Sequence, residues 1–127
     1  MHCVVETHSF RKAASDAGMS EEEVLRLKNL LSECPDSGDL IKGTGGARKL
    51  RFAKPGRGKS GSYRVVTYYC ADDIPVFLMD VYAKGDKINL SARERAGLKK
   101  ELDAFADEYR TMVSQRVLEM KKSEVAS

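Results

Sequence analysis

Ser62-Tyr63-Arg64-Val65-Val66-Thr67-Tyr68-Tyr69-Cys70, then Ala71-Asp72-Asp73-Ile74, then Pro75-Val76-Phe77-Leu78-Met79-Asp80-Val81-Tyr82-Ala83-Lys84, decides the fold. The first run is rich in Tyr, Val and Thr, side chains that fit a pleated, half-buried surface. The last run opens almost continuously apolar, from Val76 to Met79, as a strand covered on both faces does. Asp72-Asp73 turns the chain between them. Two strands joined this closely pair antiparallel. Pairing Cys70 with Val76 sets Arg64 opposite Tyr82, and Asp80, Tyr82 and Lys84 alternate onto one face.

Upstream, residues 48–54 also follow a period of two: Leu50 and Phe52 point one way, Lys49 and Arg51 the other. Pro55-Gly56-Arg57-Gly58-Lys59-Ser60-Gly61 is incompatible with regular structure and reads as a basic hairpin loop. Residues 36–46, with four glycines, read as a loop. Before them, residues 2–6 lean to strand. Phe10, Ala13, Ala14 and Ala17 recur at helical spacing up to Gly18. Ser20-Glu21-Glu22-Glu23 has the form of a capping box. It opens a helix whose stripe is Val24, Leu27, Leu31 and Cys34, ended by Pro35.

Downstream, residues 84–90 are a polar connection, and Ser91-Ala92-Arg93-Glu94 is a second capping box. Leu98, Leu102, Phe105, Tyr109 and Met112 follow at spacings of three and four. They mark a long amphipathic helix with one apolar face. From about Ser114 the stripe weakens to Val117 and Met120, as in an extension that meets a partner, and residues 121–127 are expected to fray. The order β-α-α-β-β-β-α predicts a single α+β domain over residues 1–127, an antiparallel sheet with its helices laid on the faces.

Residues 40–71 carry Lys42, Arg48, Lys49, Arg51, Lys54, Arg57, Lys59 and Arg64 without one acid. The whole chain is only +3, so the remainder is net acidic. A local, folded, acid-free basic surface is the electrostatic footprint of phosphate binding. An apolar share of 42% with 32% charged residues fits a soluble globular protein, and no run is long enough for a transmembrane helix. Residues 1–10 have no signal-peptide core. Cys3, Cys34 and Cys70 are too scattered for a disulfide framework or a zinc site. Cys34 and Cys70 fall within apolar patterns, so buried thiols in a reducing cytoplasm are expected.

Ala53-Lys54-Pro55-Gly56-Arg57-Gly58-Lys59-Ser60 loosely imitates a nucleotide phosphate loop. That motif works by leading into a helix whose N-terminus faces the phosphates. Here it leads into a strand, so nucleotide hydrolysis is set aside. His2 and His8 lie outside the basic segment and read as surface residues. No clustered carboxylates suggest a catalytic metal, and no cofactor is expected. Lys42 and Lys49 read as solvated cations, whereas Arg64, amid so apolar a strand, demands a function. Asp80 reads equally as a carboxylate orienting a cation or as a strand-end ion pair. Phosphate chemistry without metal or histidine is open to RNA. The ribose 2′-hydroxyl attacks its own 3′-phosphate, cations stabilise the charge that develops, and a tyrosine or lysine moves protons.

Gly43-Thr44-Gly45-Gly46-Ala47-Arg48-Lys49-Leu50-Arg51, the Gly/Lys loop, Tyr63-Arg64-Val65-Val66-Thr67-Tyr68-Tyr69, Val81-Tyr82-Ala83-Lys84-Gly85-Asp86-Lys87 and Asn89-Leu90-Ser91 occur in that order. Together they resemble the RelE/HigB-type toxins of bacterial type II toxin–antitoxin modules, nearest the HigB branch with its GTGGxRK signature. The resemblance implies a RelE-like α+β fold and metal-independent, ribosome-dependent cleavage of mRNA in the A site. It further implies a cognate antitoxin, often with a helix-turn-helix domain through which operator DNA is bound, and a cytoplasmic place of action without membrane contact. By the same likeness Arg64 is the phosphate-stabilising arginine, and Tyr82 and Lys84 are stacking or proton-transfer groups. Arg48, Arg51, Lys54, Arg57 and Lys59 are then the cations that grip mRNA or ribosomal RNA. Two rival readings share the features: a ParE-like gyrase inhibitor without nuclease activity, and an RNA- or ribosome-binding module that has lost its chemistry. The cation-rich hairpin beside Arg64 and Tyr82 weighs against the gyrase reading.

Overall fold

The computed structural model describes residues 2–53, 62–83 and 91–126. The chain runs β1 (Val4–Glu6), α1 (His8–Asp16), α2 (Glu21–Glu33), β2 (Asp39–Leu40), β3 (Ala47–Ala53), β4 (Ser62–Tyr68), β5 (Val76–Ala83) and α3 (Ala92–Ala126). One five-stranded sheet has the order β1-β5-β4-β3-β2. Its α+β class and its antiparallel meander match the expectation from periodicity. Two details differ. The short β2 pairs antiparallel with β3 inside what reads as a loop, and β1 joins β5 in parallel. Neither is visible in the chain alone, because a two- or three-residue strand is created by its neighbour's ladder.

The helices begin where their caps dictate. Thr7 Oγ1 accepts from Phe10 N at 3.2 Å and donates to the Leu78 carbonyl at 2.7 Å, so the cap of α1 also fastens it to β5. Ser20 and Glu23 form the reciprocal capping box, with bonds of 3.2 and 2.9 Å. Glu23 Oε1 also accepts from the Tyr63 hydroxyl at 3.1 Å, tying α2 to β4. Ser91 stands one residue before α3, its carbonyl accepting from Arg95 N at 2.9 Å. The Glu94 side chain, the other half of that expected box, lies outside what is described.

The sheet is covered on both faces. Phe10 and Ala14 of α1 and Leu27 and Leu31 of α2 pack on Tyr63, Val65, Val76, Leu78 and Val81. On the other face Leu102 and Ala106 of α3 cover Ala47, Tyr68 and Phe77. Phe105 and Tyr109 meet the Phe77 ring edge-on, at 4.6 and 5.7 Å between centroids. This double cover explains the continuous apolar start of β5.

The thiols are a correction: Cys3, Cys34 and Cys70 are all exposed. Cys34 caps the end of α2, and Cys70 stands two residues beyond the end of β4, so each stands where its apolar pattern has run past the core. The last helix runs to Ala126, in keeping with a sequence of good helix formers.

Candidate active site

A β-bulge builds the site. Tyr68 pairs with Phe77 and Thr67 with Leu78, but Val66 pairs with Asp80. Met79 is therefore the extra residue of β5. Without it the register set by the turn would bring Val81 opposite Arg64; with it, Tyr82 stands there. The register expected from Cys70–Val76 pairing thus fails near the turn, yet the Arg64–Tyr82 pairing holds. On the other side of β4, Arg51 pairs with Arg64. Arg51, Arg64 and Tyr82 form one cross-strand row on the face that α3 covers only in part. Lys49, Val66 and Asp80 form the next row.

Along this face the surroundings change abruptly. Ala47, Tyr68 and Phe77 are buried beneath α3. Lys49, Arg51 and Asp80 are exposed, and Arg64 and Tyr82 are half-buried. Two like charges directly opposite each other in a sheet repel. Among the described residues Arg64 Nη1 is buried and has no hydrogen-bond partner. Leaving such a donor unsatisfied costs about 1–3 kcal/mol. Asp80 does not offset it, because its Oδ1 accepts from Val81 N at 2.8 Å, and no described salt bridge includes it. A guanidinium with a desolvated free N–H, an arginine beside it and a phenol on the other flank are arranged to receive an anion.

Arg48 is placed elsewhere. Strand alternation points it to the face of Leu50 and Phe52, where Nη1 donates to the Tyr69 carbonyl at 3.1 Å and the guanidinium lies 5.8 Å from the Tyr69 ring centre. The structure therefore does not bring it to the Arg64 row. Lys54, Arg57, Lys59 and Lys84 lie outside the described residues. His2 is bonded through Nε2 to the Ile74 carbonyl at 3.0 Å, at the turn end of the sheet, and His8 opens α1. Among the described residues no group of three His, Cys, Asp or Glu side chains is placed to hold a metal ion. No described helix is long and apolar enough to cross a membrane.

Three tyrosines are pushed above their ordinary value, and none lies in the row. Burial and a bond to Glu23 raise Tyr63, burial and the Cys70 thiol raise Tyr68, and a bond to Asp72 raises Tyr69. Their hydroxyls stay protonated and structural.

The sequence reading missed Arg95. It precedes Leu98 by three residues on the inward stripe of α3, and its Nε is buried without a partner among the described residues. Its side chain lies against Gly43. The signal was available: an arginine at a stripe position seven residues before Leu102.

Fold and site together define a small α+β protein with a basic row on the open half of its sheet. The sequence matches, over residues 3–126, the protein-family model described as the RelE toxin of the RelE/RelB toxin–antitoxin system. The chain belongs to this family of toxins, and membership brings with it a cognate antitoxin as partner.

Proposed function

We propose that this protein is a ribosome-dependent mRNA endonuclease of the HigB branch, neutralised by its antitoxin. The observation that carries the reading is the Arg51–Arg64–Tyr82 row with its unpartnered guanidinium nitrogen. RelE toxins are in general ribosome-dependent endoribonucleases, and the row supplies what such chemistry needs from a protein.

The ribose 2′-hydroxyl loses its proton and attacks the adjacent phosphorus. A pentacoordinate phosphorane forms, and the bond to the 5′-oxygen of the next nucleotide breaks as that oxygen gains a proton. The products are a 2′,3′-cyclic phosphate and a free 5′-hydroxyl. Arg64 stabilises the phosphorane oxygens with its free N–H, and Arg51 holds a flanking phosphate. Tyr82 stacks on a base or moves one of the protons, with Lys84 as the other candidate for proton transfer. Lys54, Arg57 and Lys59 grip mRNA or ribosomal RNA, and Arg48 contributes from the far face. The ribosome supplies a splayed mRNA, which a surface this open does not build alone.

Induced expression of the wild type is expected to arrest translation, with primer extension showing cuts inside coding regions. Arg64→Ala is expected to lower cleavage by about 10²–10³-fold, the usual loss for an electrostatic stabiliser. A fully toxic Arg64→Ala would overturn the site. A DNA-damage response and altered supercoiling without mRNA cuts would overturn the reaction and favour gyrase as the target.

A further inference from the structure

The inward stripe of α3 does not stop where the sheet does. Leu98, Leu102, Phe105 and Tyr109 pack on the sheet, and Arg110 clamps the helix to the β4–β5 turn through Asp73, at 2.8 and 3.1 Å. From there every residue to 123 is exposed. At 100° per residue, Val113, Val117 and Met120 continue the inward line to within about 60° of one another. They are 40, 44 and 66% exposed, with Met112 beside them at 47%. A contiguous apolar stripe left exposed on a helix marks an interaction surface.

The borders of the stripe select the occupant. Arg116 falls about 60° to one side of Val113 and Lys121 about 80° to the other, while Glu119 lies beyond Arg116, about 120° from Val113. Two copies paired antiparallel about Val117 would set Arg116 against its own counterpart, a like-charge contact of the kind that specifies against self-pairing. An apolar helix face bordered by acids meets complementary charge on both flanks.

We infer that the exposed stretch of α3 beyond Arg110 is a docking surface for an acidic amphipathic helix of the cognate antitoxin. This rests on membership of the toxin family and not on the proposed nuclease chemistry. Docking on Val113, Val117 and Met120 follows the helix-in-groove mode, with anchors at spacings of three and four.

The test is calorimetry of the full-length chain with the purified antitoxin encoded beside it. Val117→Glu/Met120→Glu is expected to weaken binding by tenfold or more, roughly the effect of losing one interface anchor. Arg116→Glu/Lys121→Glu, which leaves the apolar stripe whole, is expected to weaken it too and to flatten its dependence on salt. Leu118→Glu, on the back of the helix, is expected to change nothing. Undiminished binding by both double variants overturns the proposal. So does a dimer of the wild-type chain alone that Val117→Glu disperses, which assigns the stripe to a second copy. Loss of ribosome co-sedimentation with antitoxin binding intact likewise overturns it. Calorimetry needs no catalysis, so absence of mRNA cleavage leaves this result standing.

Discussion

At the scale of single residues, Arg64 is where stability and the proposed function oppose each other. It faces Arg51 across the ladder and buries an N–H with no partner among the described residues. Arg64→Met, similar in length and without charge, is expected to raise the unfolding free energy by about 1 kcal/mol while abolishing cleavage. Urea melts of the wild type and the variant measure this. A destabilised Met variant would mean that Arg64 is a structural tie. Arg64→Lys keeps the charge but loses the planar fork, so it is expected to retain RNA binding and lose most cleavage. Arg64 was legible in the sequence because an arginine is costly in so apolar a strand. The desolvation of its Nη1 was not, since burial is set by what α3 and the neighbouring strands leave uncovered.

At the scale of elements, the turns and the bulge decide which side chains meet. Gly38, at φ 95°, brings β2 alongside β3, and a Cβ there would sit 2.7 Å from the Lys49 carbonyl oxygen. Gly38→Ala is therefore expected to cost more than about 1 kcal/mol, read as a shifted urea midpoint. A neutral Gly38→Ala would mean that β2 contributes little to the sheet. Strand existence, helix starts and the Ser20–Glu23 box were all legible, because period, turn residues and caps are local properties. The Met79 bulge was not. The Arg64–Tyr82 pairing came from a loop register that the structure does not keep at Cys70, and the bulge restores it by adding one residue to β5.

At the scale of the whole molecule, α3 is held at the turn end by Arg110 and Asp73. The bond from Arg110 holds the Asp73 carboxyl below its ordinary value of 3.8. A depressed carboxylate contributes stability above its unfolded-state value and loses it as pH falls through the lowered one. The pair is exposed, so its contribution is small. Asp73→Asn is expected to be slightly less stable than wild type at neutral pH, with the gap closing in acid through and below pH 3.8. Paired denaturation curves at the two extremes check this. A gap that persists in acid would show that the anchoring does not depend on the carboxylate's charge.

The sequence alone determined the α+β class, the meander, the caps, the acid-free basic segment and the likeness to the RelE/HigB toxins. All of these are carried by neighbours along the chain: period, turn chemistry and charge run. Only the tertiary structure decided how the strands' cations meet. It joined Arg51 to the Arg64–Tyr82 pair, bonded Arg48 to the Tyr69 carbonyl on the other face, exposed the three thiols and buried Arg95 Nε. It also showed that the stripe of α3 outruns the sheet. These depend on where two faces are covered and where cover ends, which is fixed by contacts between residues far apart in sequence.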